Sequence, residues 1–173
     1  MTLQAQPASR PADAPIELVA YDPTWPSRFE LERKILERAL SRWLAGDIEH
    51  IGSTAIPMLA AKPVIDIMAP VRSLELSRNA IPAAEAVGYV HSSYQAEVMH
   101  WFCKPSSVHR THHLHLVPFG SSLWQQRLAF RNSLRGNPTF AAEYSELKSR
   151  LALQFSHDRE AYTRGKAAFV QRV

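Results

Sequence analysis

The period of the apolar positions changes several times along the chain, and each change marks an element. Phe29, Leu36, Leu40 and Trp43 recur at helical spacing, and Ile35, Ala39 and Leu44 widen that face enough to pack on a sheet. Thr24 is the expected cap of this helix. Pro26 falls in its first turn, where a missing N–H costs little, and Gly46 ends the pattern. Upstream, residues 16–21 read as an edge strand or an extended arm.

Residues 48–51 form the next apolar run and lead directly into Gly52-Ser53-Thr54, the start of a short helical segment. A second strand is expected over 64–68, entered at Pro63 and closed by Pro70. A helix covers much of 73–87, with Pro82 restricting its first turn and Gly88 ending it, after which Tyr89 and Val90 resume extended structure. Residues 99–104 and 111–119 read as an antiparallel hairpin. Ser122 and Gln125 have capping-box spacing ahead of a helix over 123–135. Asn137 and Pro138 are cap and first residue of the next helix, which carries Phe140, Tyr144, Leu147 and Leu151 on one face. A last helix follows Ser156 and buries Tyr162, Phe169 and Val173. This order predicts an α/β or α+β fold, a mixed β-sheet with flanking helices and a helical C-terminal third.

At 173 residues the chain suits one domain. Residues 1–15 contain three prolines and no continuous apolar run, so they are expected to form a flexible tail before a single domain over 16–173. A secretory leader would need such a run, and a cytoplasmic protein is therefore expected. No stretch approaches the ~20 apolar residues that cross a bilayer. The single cysteine, Cys103, excludes an internal disulfide and a cysteine-rich zinc site. Charge is uneven: no carboxylate side chain occurs between Glu97 and Glu143, a stretch holding five Lys or Arg and five histidines. If the fold gathers these in a cleft, the region attracts a small anion. Nucleic acid is the poorer partner, because there is no Lys/Arg run, RNA-reading strand or zinc-finger spacing. Oligomeric state is not readable from the sequence.

Three segments carry candidate chemistry. In Glu49–Ile51 and the following Gly52-Ser53-Thr54, glycine permits close backbone approach and exposed amides can hold phosphate oxygens. Ser53 can add a hydroxyl contact, and His50 can donate or accept a proton; a strand-to-helix cap uses the same residue types. In Lys62-Pro63-Val64-Ile65-Asp66-Ile67-Met68, period two places Val64, Asp66 and Met68 on one face and Ile65 and Ile67 on the other. A carboxylate in such a strand must be solvated, hydrogen-bonded, or paired with a cation or metal. Lys62 can meet a phosphate or pair with Asp66, or it can be solvated. Met68 stands where a second carboxylate would complete a paired clamp.

In Thr111-His112-His113-Leu114-His115-Leu116-Val117, alternation puts Thr111, His113 and His115 on one face. His113 and His115 with Asp66 make a two-histidine, one-carboxylate set, suited to Zn²⁺, Mn²⁺ or Fe²⁺ better than to Mg²⁺. Buried histidines can instead satisfy each other and the backbone. In the helical third, Arg127, Arg131 and Arg135 form a stripe at spacings of four, and Arg159, Tyr162 and Lys166 can address one cleft. Both sets suit phosphate, and both also suit solvated helix faces.

Taken together, EHIGSTA at 49–55, KPVIDI at 62–67 and HLHLV at 113–117 resemble the GrpB-like family, whose fold belongs to the nucleotidyltransferase superfamily. The resemblance continues through Phe130-Arg131, Leu134-Arg135, Tyr162-Thr163 and Lys166, and covers residues 16–173. It implies a nucleotidyltransferase-like mixed sheet with a cleft beside the Gly-Ser turn. Phosphate contacts from Gly52, Ser53, Thr54, Lys62, Arg131, Tyr162 and Lys166, an ion on Asp66, His113 and His115, and proton transfer by His50 are the expected roles. The expected function is binding of a nucleotide or phosphorylated small molecule, with metal-dependent nucleotidyl or phosphoryl transfer if the protein is an enzyme. Two alternatives stand beside it: a catalytically inactive nucleotide- or phosphoprotein-binding module, and a histidine-triad-like nucleotide hydrolase. The latter lacks its third histidine, since Val117 occupies that place.

Overall fold

A computed structural model describes residues 15–172; the expected N-terminal tail, Pro15 apart, and Val173 lie outside them. Helix α1, Trp25–Leu40, places Trp25, Phe29, Leu36 and Leu40 inward, as its apolar period demands. Its N-terminus is held differently from expectation. Thr24 makes no side-chain cap; the Asp22 carboxylate accepts from both the Thr24 amide and hydroxyl.

Strands β1, Glu49–Ile51, and β2, Ile65–Val71, are joined through a 3₁₀ turn at Ser53–Ala55. β2 runs through Pro70 rather than stopping there. β1 pairs with β2 only as far as Met68, so the missing proline N–H breaks no ladder bond on that side, and the Pro70 carbonyl accepts from Ala45. The helix expected over 73–87 shrinks to α2, Ala80–Glu85, preceded by turns. Pro82 is tolerated there because it falls within the first helical turn. Strands β3, Val90–Ser92, β4, His100–Pro105, and β5, Arg110–Pro118, follow, with β4 and β5 forming the expected hairpin.

The sheet order is β1-β2-β5-β4-β3, with β2 and β5 parallel and every other neighbour antiparallel. One face packs Ile65, Ile67, Leu114, Leu116 and Phe102 against α1 and α2 in the main core. The opposite face carries Ile51, Met68, Met99, Trp101, Cys103 and Val117, covered by Trp124 of helix α3, Ser122–Gly136.

Ser121, not Ser122, caps α3 by accepting from the Trp124 amide, and the Gln125 side chain donates to the Gly120 carbonyl instead of closing a capping box. Asn137 caps helix α4, Pro138–Gln154, as its sequence predicts, accepting from the Thr139 and Phe140 amides. The single last helix is in fact two: α5, Arg159–Gly165, capped by Asp158, and α6, Ala167–Arg172. Lys166 sits at the break. Gly165 lets α5 press on α4, since a β-carbon there would stand 2.5 Å from a Leu151 methyl. Among the described residues no helix is long and apolar enough to cross a membrane.

Candidate metal centre

Strand register builds the centre. β2 and β5 run parallel with Asp66 opposite His113 and Met68 opposite His115, so the alternation expected from sequence puts all four side chains on the α3 side of the sheet. Asp66 Oδ1 lies 2.9 Å from His113 Nδ1 and 3.8 Å from His115 Nε2. One ligand atom from each residue falls within 4.8 Å of the others. Asp66, His113 and His115 are thus brought together as a candidate metal-binding triad.

Neighbours fix the tautomers. A carboxylate only accepts, so the bond to Asp66 places the His113 proton on Nδ1. The His115 Nδ1 lies 3.4 Å from the Met99 thioether, a weak acceptor, and donates to it. Both Nε2 atoms are buried and without a hydrogen-bond partner among the described residues. Burial pushes His115 down to about 4, against the opposing pull of Asp66, so its imidazole is neutral at ordinary pH. Burial alone would raise the Asp66 carboxyl, but the hydrogen bond from His113, with His115 close by, holds it well below the usual carboxylate range. Two imidazoles and one carboxylate are a donor set that fits a borderline divalent ion.

The Gly52 turn closes on this centre. Gly52 adopts φ 71° and ψ −173°, a conformation that favours glycine, and its α-carbon stands directly against Asp66. Ser53 faces the Tyr144 hydroxyl on α4. Thr54 is turned away and buried, with its hydroxyl shared between the Val64 carbonyl and His50.

His50 is not beside the triad. It pairs with Ile67 and so points to the α1 side of the sheet, where it stacks on Phe29 at 4.7 Å and meets Thr54 Oγ1 at 3.0 Å. Arg131 is likewise committed elsewhere: its guanidinium joins Glu49 and the His50 carbonyl, and Arg135 donates to the Ala55 carbonyl. The arginine stripe is therefore split. Its first member, Arg127, lies among Asp66, Tyr94 and Tyr144, and burial lowers its pKa from the usual arginine value while it stays charged.

On the C-terminal side, Lys62 and Lys166 stand over the Tyr162 ring at 5.2 and 4.5 Å. Burial, then the Lys62 charge, brings Lys166 down to about 8. Arg127, Tyr144, Met99 and Lys148 are the members of this region that sequence reasoning did not select as site residues. Tyr144 and Lys148 were hidden in the helical period of α4, while Arg127 was visible only as one of three equivalent arginines.

Comparison with known proteins agrees with this architecture. Residues 15–173 match the family model described as GrpB protein. The chain is 37% identical to a UPF0157 protein of Pseudomonas aeruginosa over 93% of its own length and 67% of the relative's. It is 33% identical to the glutamate-rich protein GrpB of Alkalihalophilus pseudofirmus, covering 90% of this chain and 92% of that one. The crystal structure of conserved protein GrpB from Enterococcus faecalis superposes with a TM-score of 0.80 at 34% identity, covering 90% of this chain and 93% of the other. A family match over nearly the whole chain, with full-length relatives and a shared fold, establishes that the chain belongs to the GrpB family.

Proposed function

We propose that this protein binds a nucleotide or another phosphorylated small molecule beside a single divalent ion held by Asp66, His113 and His115. The observation that carries this reading is that Asp66, His113 and His115 bring one ligand atom each within 4.8 Å of the others, while both histidines keep a buried, unpartnered Nε2. Buried nitrogens without partners are costly unless a ligand completes them. An ion bound there would act as a Lewis acid on a phosphoryl oxygen. The chain's own part is to orient: Asp66 holds the His113 ring, Met99 holds the His115 ring, and the Gly52 turn shapes one wall. Nitrogen donors favour Zn²⁺, Mn²⁺ or Fe²⁺ over Mg²⁺.

If the site is catalytic, nucleotidyl or phosphoryl transfer is the reaction class that suits it. His50 is then a poor choice for proton transfer, since the sheet separates it from the triad. A second reading, binding without turnover, is favoured by Met68. It is fully buried opposite His115, where a second carboxylate would be required for a two-ion mechanism.

The test is metal analysis of the purified protein, followed by Zn²⁺ and Mn²⁺ titration of wild type, Asp66→Asn and His115→Asn. One ion per chain in the wild type, lost by at least tenfold in affinity in the variants, is expected. Equal affinity in all three would refute the centre. Release of pyrophosphate or phosphate from a nucleotide mixture separates the transferase from the binding module.

A further inference from the structure

Outside the centre, several partly buried cations are neutralised by carboxylates. Lys104 pairs with Glu32, Arg131 with Glu49, and Arg33 with Glu30 and Glu37. Arg127, Lys148 and Lys166 differ. None makes an ion pair with a carboxylate among the described residues, although Lys148 is only 2% exposed and the other two are partly buried. Lys148 donates its Nζ proton to the Ala60 carbonyl and stands over the Tyr144 ring at 5.0 Å. Lys166 and Lys62 flank Tyr162.

These groups are one assembly. Lys166 senses the charges of Lys62, Asp66 and Arg127; Arg127 senses Asp66 and Tyr144; and Lys148 senses Lys166. Arg127, Lys148 and Lys166 thus gather, with Lys62 alongside, near one carboxylate that the histidines already engage. Like charges so placed repel, and burial leaves little water to screen them, so their charged forms are costly until an anion neutralises them.

A single phosphate, at most two negative charges, meets the needs of the ion alone. We propose that Arg127, Lys148 and Lys166, with Lys62, form a subsite for a chain of two or more phosphates, so that the ligand is an oligophosphate rather than a monophosphate. The inference rests on the metal-centre reading and adds the charge count of the ligand. Arg127 offers a planar fork for one phosphoryl group near the triad, and the lysines act as point charges for those further along. The tyrosines Tyr144 and Tyr162, both buried, wall the subsite and supply hydroxyl donors.

The test is calorimetric titration with orthophosphate, pyrophosphate, tripolyphosphate and a nucleoside triphosphate, each with and without Mn²⁺. Tripolyphosphate is expected to bind at least roughly tenfold more tightly than orthophosphate, a difference that Arg127→Gln and Lys166→Gln each reduce severalfold. Lys166→Arg should restore most of it. Arg131→Gln, on the same helix as Arg127 but clamped to Glu49, should leave it unchanged. A nucleoside triphosphate that binds no better than tripolyphosphate identifies the phosphate chain itself as the ligand chemistry; tighter binding adds a base contact to the same subsite. Orthophosphate and tripolyphosphate of equal affinity would overturn the inference while leaving the metal reading intact. Mn²⁺ failing to bind would remove that reading, and oligophosphate affinity retained without metal would still uphold the subsite.

Discussion

The α-carbon of Gly52 rests on the carboxylate of Asp66: a β-carbon at position 52 would stand 2.3 Å from Oδ2 and 2.9 Å from both Cβ and Cγ of that residue. Neither partner can step aside. Asp66 is anchored to His113 from the neighbouring strand, and residue 52 sits in a tight turn with φ 71°.

Gly52→Ala therefore combines a left-handed backbone strain with a clash at the ligand set. A loss of about 1–3 kcal/mol is expected, with a fall of several degrees in Tm. Metal affinity should fall at least tenfold as the carboxylate is displaced. Thermal melts and Zn²⁺ titration measure the two effects separately. Wild-type metal affinity in the alanine variant would mean that Asp66 is not a ligand.

His50 should govern acid stability rather than chemistry. It is 7% exposed, and burial, opposed by Asp66, lowers it to about 4 from an unfolded value near 6.5. Between those values the unfolded chain binds the additional proton, so stability present above pH 6.5 is lost as pH falls towards 4. His50 alone contributes about 2–3 kcal/mol to that loss, and His115, lowered similarly, adds to it. His50→Gln keeps a polar partner for Thr54 and removes one titration. Its denaturation midpoint in urea should fall less between pH 7 and pH 4.5 than that of the wild type. An unchanged acid limb would mean that His50 is solvated.

Much of this centre is legible in the chain before folding, because period-two alternation is local. Asp66 and Met68 share a face, as do His113 and His115, and both assignments follow from the strands alone. What alternation does not give is register. β2 and β5 pair in parallel across the 38 residues that separate them, and only the folded sheet sets Asp66 opposite His113. Sequence also presents Arg127, Arg131 and Arg135 as equals. They part because β1 and the 3₁₀ turn run beside α3, offering Glu49, the His50 carbonyl and the Ala55 carbonyl to the later two. Caps depart from the sequence expectation where several acceptors compete: Asp22 displaces Thr24, and Ser121 displaces Ser122. The break at Lys166 between α5 and α6 lies beside the close approach of Gly165 to Leu151, a tertiary contact without a local signal.

Lys148 makes the sharpest stability test. Its side chain is 2% exposed, and burial, with Lys166 as the second cause, brings its ammonium down to about 7 from the usual 10.5. Below pH 7 it is charged in both folded and unfolded chains, and the folded state bears the full cost of burying it. Between pH 7 and 10.5 the unfolded chain binds the additional proton, so stability rises with pH across that window. Lys166, lowered to about 8, extends the same trend from its own midpoint upwards. Lys148→Met keeps the volume of the side chain, removes the buried charge, and costs the hydrogen bond to the Ala60 carbonyl, about 1 kcal/mol, and the contact with the Tyr144 ring. The variant should be more stable than the wild type at pH 6.5 by on the order of 1–3 kcal/mol, with a flatter rise towards pH 9.5. Chemical denaturation at pH 6.5, 8 and 9.5 measures both. Parallel curves for the two proteins would show that the amine is charged and neutralised in the fold. Saturating tripolyphosphate should narrow the gap at pH 6.5, because an anion beside Lys148 stabilises the ammonium that only the wild type carries.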